Sequence, residues 1–251
     1  MSGHSKWANI KRRKGAEDAK RGKVFTRLAR DIMQAAREGG GDENANPRLK
    51  LAVMKARENN MPKENIERAI LRGTGKLEGV ELEEITYEGY GPDGVAYMID
   101  VLTDNRNRTL GEIKNIFNKR GGAMASAGSV KFQFDQKSEF ILAEDRGYDF
   151  DEVFLVAAEA GADDVQNEDG VITVYAPREA FSAVEQALTN AGYKIAESGI
   201  KWFANNETEL PVDKALANMR LQSDLDELDD VQSVASNLAI NDEILEAFET
   251  A

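Results

Sequence analysis

The sequence EEITYEGYGPDGVAYMIDVLTD, residues 83–104, predicts the structure at the centre of this chain. Its β-branched and aromatic residues lie on both sides of the Gly-Pro-Asp-Gly sequence at 91–94, which is typical of two strands joined by a tight turn. A helix is predicted next, near residues 106–120, followed by a strand at GSVKFQF, residues 128–134. Strands and a helix in one segment predict an α+β domain.

In the following segment a strand-helix-strand pattern occurs twice. Strands are predicted at EFILAE, residues 139–144, and GVITVYA, residues 170–176, and each precedes a helix, at 149–160 and 177–191, that leads into a further strand. The order βαββαβ is that of a ferredoxin-like domain, here over residues 138–204.

The last part of the chain contains an amphipathic pattern over residues 212–228, which predicts a helix. A short strand is predicted at VQSVAS, residues 231–236. The final residues are expected to fray.

The first 76 residues are predicted to form a bundle of three short helices. From residue 16 to 38, apolar side chains recur on one side of a helix and basic side chains on the other. A second helix is predicted to start at Asn46, as cap, with Pro47 in its first turn. A third is predicted to begin at Pro62 and end at Gly73. The fold class is therefore α+β, with an N-terminal helical domain.

Charge is divided unevenly along the chain. The protein has a formal net charge of -13, yet residues 1–76 contain 19 Lys and Arg against 9 Asp and Glu, a net charge of +10. The remainder has a net charge of -23. Such asymmetry is typical of modules with different partners, and we call residues 1–76 the basic head and the remainder the acidic body.

Residues that enzymes use are scarce in this sequence. There is no cysteine and one histidine, His4, so thiol chemistry, a Ser-His triad and a histidine metal site are not expected. The GTGK sequence at 73–76 lacks the earlier glycine and the following Ser or Thr of a P-loop. The Asp pairs at 163–164 and 229–230 lack EF-hand spacing and are interpreted as solvated acidic surface. We predict no enzyme activity, catalytic residue, metal or cofactor.

The basic head carries most of the residues predicted to bind nucleic acid. Ten Lys and Arg residues lie between Ser5 and Arg30, against two acidic residues, a density suited to neutralising phosphates. Trp7 either stacks on an unpaired base or anchors the segment to the bundle, and the basic run at 11–14 is alternatively a solvated tail. The predicted residues are Lys6, Trp7, Lys11, Arg12, Arg13, Lys14, Lys20, Lys23, Arg27 and Arg30.

A second candidate site is TDNRNRT, residues 103–109. Arg106 and Arg108 stand at the start of the predicted helix, where free N–H groups also favour an anion. Helix capping and an ion pair with Asp104 explain the same residues equally well.

The ferredoxin-like segment is not predicted to bind RNA. GVITVYA lacks the Arg/Lys-Gly-aromatic pattern of the RNA-recognition module. Residues 138–204 also contain 14 acidic against 4 basic residues, so the field of this domain would repel phosphate. The domain is interpreted as contacting a protein, or as keeping the acidic body from binding nucleic acid non-specifically.

Several long motifs, in order along nearly the whole chain, resemble the YebC family of bacterial proteins, whose mitochondrial relative is a translational activator of cytochrome oxidase subunit one. These are GHSKWANIK (3–11), ANPRLKLAV (45–53), NNMPKENIERAI (59–70), YEGYGPDGVA (87–96), TDNRNRT (103–109), GSV (128–130) and DDVQSV (229–234).

The resemblance implies three domains. They are a basic helical domain at 1–76, a discontinuous central α+β domain at 80–137 plus 205–240, and an inserted ferredoxin-like domain at 138–204. The segment after the insertion is implied to complete the central sheet. No catalytic residues are ascribed to the family.

The residues and the resemblance together predict a non-enzymatic, cytoplasmic regulator of gene expression. Our first hypothesis is that the head binds ribosomal RNA and assists translation of difficult sequences, with the acidic domains contacting ribosomal proteins. The alternative is a DNA-binding transcriptional regulator. Attraction to phosphate is common to both, so the sequence leaves RNA or DNA open. No apolar run approaches the roughly 18 residues of a membrane span, and no membrane partner is expected.

Overall fold

A computed structural model describes residues 19–77, 82–143, 146–168 and 170–250, without the side chains of residues 19–23. The described chain divides into two compact units. Unit 1 takes in the residues up to Lys131 and those from Asn206 onward, and unit 2 is Phe132–Asn205. Both contain helices, and each has a sheet, which confirms the α+β class. The further division of unit 1 into a helical and a central domain stays a prediction.

The elements are numbered here in chain order within the described residues. The helices are α1 (Ala19–Gly39), α2 (Pro47–Glu58), α3 (Lys63–Gly73), α4 (Arg106–Lys119), α5 (Phe150–Glu159), α6 (Phe181–Asn190), α7 (Val212–Asp226) and α8 (Asp242–Glu249). The strands are β1 (Glu83–Tyr90), β2 (Ala96–Thr103), β3 (Ala123–Met124), β4 (Phe134–Leu142), β5 (Asp164–Glu168), β6 (Val171–Pro177), β7 (Ile195–Ala204) and β8 (Val231–Ser236).

Helices α1, α2 and α3 form the predicted bundle of the head. Asn46 caps α2 by accepting a hydrogen bond from the Leu49 N–H at 3.0 Å, and its amide donates to the Ala35 carbonyl at 2.8 Å. One side chain therefore joins the start of α2 to the end of α1. The shared core consists of Leu28, Ile32, Ala35, Ala36, Leu49, Ala52, Val53, Ala56, Met61, Ile66 and Ala69.

The central sheet of unit 1 has the strand order β3-β1-β2-β8. β1 and β2 pair antiparallel from Glu83 opposite Thr103 to Tyr90 opposite Ala96, as the opening sequence predicts. β8, which follows unit 2 in the chain, pairs antiparallel with β2, so the last segment does complete this sheet. α4 and α7 contribute Phe117 and Met219 to the core on the sheet.

The prediction for the final residues of the chain is wrong. The final residues do not fray but form α8, whose Asn241 cap accepts a hydrogen bond from the Ile244 N–H at 2.9 Å. Ile244 is buried in the core of the central sheet, and this burial holds the short helix in place.

Unit 2 has the predicted ferredoxin-like topology. Its antiparallel strands lie in the order β5-β6-β4-β7, and the chain order of its elements is βαββαβ. Phe140 and Val174 of the sheet share one core with Val153 of α5 and Val184 of α6.

The strand expected at 128–134 is wrong for most of its length, because β4 begins only at Phe134. Residues 131–133 form a 3-10 turn. Gly128 has a φ of 86°, in the left-handed region that glycine favours. The Glu88 carboxylate also accepts the N–H groups of Gly128, Val130 and Lys131, which a strand would need for its ladder.

Candidate nucleic-acid interface

Most of the head residues predicted to bind nucleic acid cannot be placed by the structure. Lys6, Trp7, Lys11, Arg12, Arg13 and Lys14 lie outside the described residues. Lys20 and Lys23 lie in α1, with side chains that are not described. Contact of these residues with nucleic acid stays a prediction.

Two arginines from the basic side of α1 hold the end of α7. Arg27 Nη2 donates hydrogen bonds to the backbone carbonyls of Asp226 and, at 2.9 Å, Leu228. Burial lowers the pKa of Arg27 against the opposing effect of nearby carboxylates. Arg30 Nη1 donates to the Asp229 carbonyl at 2.7 Å. Cations are favoured here because the C-terminal carbonyls of a helix carry negative partial charge.

The sequence predicted that Arg27 and Arg30 contact phosphates. In the structure their guanidinium groups join the head to the segment between α7 and β8, some 199 residues further along the chain. No local sequence pattern indicated that Arg27 and Arg30 bind the backbone at the end of α7. A direct contact of either arginine with nucleic acid stays a prediction.

Asp230 is the centre of this junction. Its side chain is only 3% exposed, and its carboxylate pairs with Arg30 at 2.6 Å and Arg108 at 2.7 Å. It also accepts hydrogen bonds from the hydroxyls of Thr103, at 2.8 Å, and Thr109. Burial acts to raise the pKa of Asp230, but these donors outweigh it and the pKa lies below its usual value. The interpretation of the 229–230 pair as solvated surface is therefore wrong for Asp230.

Residues of the TDNRNRT motif also contact Asp230. Asn105 caps α4 by accepting a hydrogen bond from the Arg108 N–H at 3.1 Å. Arg108 pairs with Asp104 at 2.7 Å as well as with Asp230, and the hydrogen bonds that it donates to both carboxylates raise its pKa. The structure thus contains both the helix cap and the Arg108–Asp104 ion pair that the sequence offered as the alternative to a phosphate contact. Arg106 is exposed, and a phosphate contact by either arginine stays a prediction.

A cleft of about 360 Å³ lies beside this junction. Its lining is Arg30, Arg108, Glu112, Glu227, Leu228, Asp229 and Asp230. Both guanidinium groups are already paired, and carboxylates outnumber them. The cleft is therefore poorly suited to binding a phosphate.

Four exposed cations of the head that were not among the predicted residues lie in α2, in α3 and just after α3. Within the described part, Lys50, Arg68, Arg72 and Lys76 are exposed and form no ion pair. Arg68 and Arg72 are four residues apart on α3 and so share one face. We call these four residues the outer cations. The spacing of four residues between Arg68 and Arg72 is a sequence signal that indicates these two, but not Lys50 or Lys76.

The other exposed cations of these two helices are paired, which makes the outer cations distinct. Arg48 pairs with Glu38 and Glu84. Arg57 pairs with Glu43 at 3.0 Å, and Lys63 pairs with Glu67 at 3.6 Å. These pairs are exposed and contribute little to stability, but they occupy cations that would otherwise be available to phosphate.

Two protein-family models match most of the chain. Residues 5–76 match the family model of the TACO1/YebC protein N-terminal domain, and residues 82–238 match that of the TACO1/YebC second and third domain. The chain belongs to the TACO1/YebC family. The family resemblance read from the motifs is therefore confirmed.

Relatives of this TACO1/YebC chain match it over nearly its full length. A probable transcriptional regulatory protein of Dictyoglomus turgidum is 48% identical over 98% of this chain and 99% of the relative. One of Nitrosococcus oceani, with the same description, is 51% identical over 98% of both chains. The crystal structure of a conserved hypothetical protein, Aq1575 from Aquifex aeolicus, is similar with a TM-score of 0.85, at 41% identity over 91% of this chain and 94% of that one.

The described residues of this TACO1/YebC chain offer little for metal chemistry or membrane insertion. Over the described ranges, no group of three or more His, Cys, Asp or Glu side chains is placed to hold a metal ion. His4 falls outside those ranges. None of the helices seen in the structure combines the length and apolarity that a membrane crossing requires.

Proposed function

We propose that this TACO1/YebC protein is a non-enzymatic, cytoplasmic regulator of gene expression that binds nucleic acid through its basic head. The observation that supports this most directly is the set of outer cations, exposed and unpaired in the described part of a head whose net charge is +10. A cation that neutralises a phosphate releases condensed counterions, and this release drives binding.

The basic segment before α1 would add to this contact. It contains Lys6, Lys11, Arg12, Arg13 and Lys14, and acidic residues do not appear in it before Glu17. Arg27 and Arg30 would act by holding α1 against the junction at Asp230, in addition to any phosphate contact. The head would then be a firmly positioned surface, which limits the ordering that binding requires.

The target we propose is ribosomal RNA, with a role in the translation of difficult sequences. Two features support this: the resemblance to a mitochondrial translational activator, and Trp7, whose ring could stack on an unpaired base. The acidic ferredoxin-like unit would face ribosomal proteins, since its residues 138–204 carry a net charge of -10.

A second candidate is a DNA-binding transcriptional regulator. The description that the relatives carry, probable transcriptional regulatory protein, favours it. Phosphate contacts by the head serve duplex DNA as well as RNA, so the two candidates differ in the target rather than in the surface.

Cosedimentation with ribosomes at increasing salt, with and without competing duplex DNA, tests the choice of target. We expect the protein to stay with ribosomes when duplex DNA is added at an equal phosphate concentration. Removal of the protein from ribosomes by that DNA would support the transcriptional candidate instead.

Charge-neutralising variants test the surface. Arg68→Gln with Arg72→Gln should weaken binding and reduce the salt slope by about 0.7 to 0.9 for each phosphate that is no longer neutralised. The matched control is Arg57→Gln with Lys63→Gln, which removes two exposed head cations that are already paired. Equal affinities and slopes for the two double variants would contradict a role of the outer cations.

A further inference from the structure

Helix α5 of unit 2 presents two large apolar side chains to solvent. Phe154 is 45% exposed and Leu155 is 61% exposed. Val153 and Ala157, on the inner side of the same helix, are fully buried in the core of the unit. The ring centroid of Phe154 lies 6.4 Å from that of Phe150, which packs on this core. Single exposed apolar residues are common on protein surfaces, so exposure alone does not give this pair a function.

Helix α6 is the counterpart of α5 in the second half of the βαββαβ order and provides an internal comparison. The two helices align without a gap, with FDEVFLVAAEAG at 150–161 opposite FSAVEQALTNAG at 181–192. Each begins with a phenylalanine that packs on the core. Their fourth residues, Val153 and Val184, are both fully buried. The inner sides of the two helices are therefore built alike.

The outer sides of the two helices differ. At the positions of Phe154 and Leu155, α6 has Glu185 and Gln186. Because α6 packs on the same core with polar residues at these positions, packing does not require the apolar pair of α5. A departure from local sequence rules that the fold does not need is typical of a functional site.

Three carboxylates lie around the apolar pair. Asp151 and Glu159 are four residues before and four residues after Leu155, so both are its neighbours on the helix surface. Glu152, three residues before Leu155, lies on the same side. All three side chains are exposed, and within the described ranges none forms an ion pair. The outer side of α5 therefore combines apolar side chains with negative charge.

These charges decide which kind of partner fits this surface. Residues 138–204 have a net charge of -10, so nucleic acid and anionic lipid are repelled. In a symmetric dimer formed through α5, the carboxylates of one copy would face those of the other, which disfavours a second copy. A protein segment with Lys or Arg around apolar side chains complements both features. Since the side-chain ridges of one helix pack into the grooves of another, the segment that fits best is itself a helix.

We infer that the outer side of α5 binds a basic amphipathic helix of a partner protein. Phe154 and Leu155 are the apolar anchors, and the three carboxylates bind the Lys or Arg residues around them. Large side chains at the centre of an interface contribute most of its binding energy. The inference gives a surface to the protein contact proposed for the acidic unit and rests on that part of the proposed function. It does not depend on the choice between RNA and DNA.

Replacement of the apolar pair by the residues of α6 tests the anchors in the full chain. The α6-like variant is Phe154→Glu with Leu155→Gln. The probe is a short fluorescein-labelled peptide of Leu and Lys in an amphipathic helical pattern, and fluorescence anisotropy measures its binding. We expect the variant to bind this peptide about tenfold more weakly than the wild type. Attraction by net charge alone predicts the opposite, because the variant carries one more negative charge.

A second pair of variants tests the carboxylates. Glu152→Gln with Glu159→Gln should weaken binding of the peptide and reduce its dependence on salt. The matched control is Asp135→Asn with Glu179→Gln, which removes two exposed carboxylates of the same unit that lie outside α5. This control should bind the peptide nearly as the wild type does. A peptide of the same pattern with Glu in place of Lys should not bind.

The melting temperature shows whether the variants keep their fold. The α6-like variant should melt like the wild type, because the replaced side chains are exposed and α6 accepts the same residues. If its melting temperature falls, Leu155→Gln alone provides the test of binding, since Leu155 is the more exposed of the two anchors.

Several results would overturn this inference. They are peptide binding by folded α6-like and Leu155→Gln variants that equals the wild type, an equal loss in the two carboxylate variants, and a wild type that binds the Leu-Lys peptide no better than the Leu-Glu peptide. A wild-type dimer in sedimentation that the α6-like variant loses would assign this surface to a second copy instead.

The result is separable from nucleic-acid binding by the head. The α6-like variant should bind ribosomal RNA and duplex DNA like the wild type, and Arg68→Gln with Arg72→Gln should bind the Leu-Lys peptide like the wild type. If the arginine variant keeps full nucleic-acid binding while the α6-like variant loses the peptide, the proposed head surface is wrong and this inference stands. The reverse result overturns this inference alone.

Discussion

Replacement of Asp230 by alanine tests the junction between the head and the central sheet. The change removes the carboxylate that Arg30 and Arg108 share. Thr103 and Thr109 keep a partner, because their hydroxyls lie 2.8 Å apart and can bond to each other. Arg108 keeps Asp104 and is 42% exposed, so water can solvate it. Arg30, only 15% exposed, bears most of the cost.

Loss of one partner from a buried ion pair typically costs 3–5 kcal/mol, and Arg30 retains the Asp229 carbonyl as an acceptor. We therefore expect the free energy of unfolding of unit 1 to fall by about 3 kcal/mol. Urea unfolding of the full chain followed by circular dichroism measures it. Arg30→Met added to Asp230→Ala should recover part of the loss, because it removes the unpaired charge.

A loss of less than about 1 kcal/mol on Asp230→Ala, the size of an exposed pair, would contradict this role of Asp230. A double variant that is no more stable than the single one would contradict it too. The pH dependence gives an independent check. Because the folded-state pKa of Asp230 is depressed, its contribution is present above the ordinary carboxyl pKa and is lost as pH falls through the lower folded value. The alanine variant should lack this acid-dependent loss.

Two further carboxylates give predictions of opposite sign. Burial raises the pKa of Asp31 to about 6, so Asp31→Asn should stabilise the head near neutral pH by up to about 3 kcal/mol. Urea titrations should show wild-type stability rising as pH falls from about 6 toward 3.8, and an identical rise in the variant would contradict this. Burial alone would raise the pKa of Glu88, but three backbone N–H groups lower it. Glu88→Gln should therefore lower the free energy of unfolding by about 2 kcal/mol and speed hydrogen exchange at residues 128–131. Unchanged exchange there would show that the Glu88 carboxylate does not hold this segment.

Local sequence patterns predicted most of the helices and strands and the order of elements in the ferredoxin-like unit, but not α8 or the end of the segment at 128–134. Residues 83–104 form two strands and a turn, and residues 138–204 form the ferredoxin-like order, because apolar periodicity and turn residues are local signals. The helices of the head follow for the same reason, with Asn46 as the cap that the sequence predicts. The charge asymmetry that motivates the proposed function is also a property of the sequence alone.

The partners of individual charged side chains became known only from the three-dimensional structure. Arg30 and Asp230 are 200 positions apart, and no local pattern indicates that a basic stripe on α1 meets a buried carboxylate beside β8. Residues 128–134 are a second example. GSVKFQF has the composition of a strand, but the carboxylate of Glu88, on β1, accepts the N–H groups that strand pairing would use. The physical reason is common to both: a polar group on its own does not specify its partner, and long-range packing supplies one.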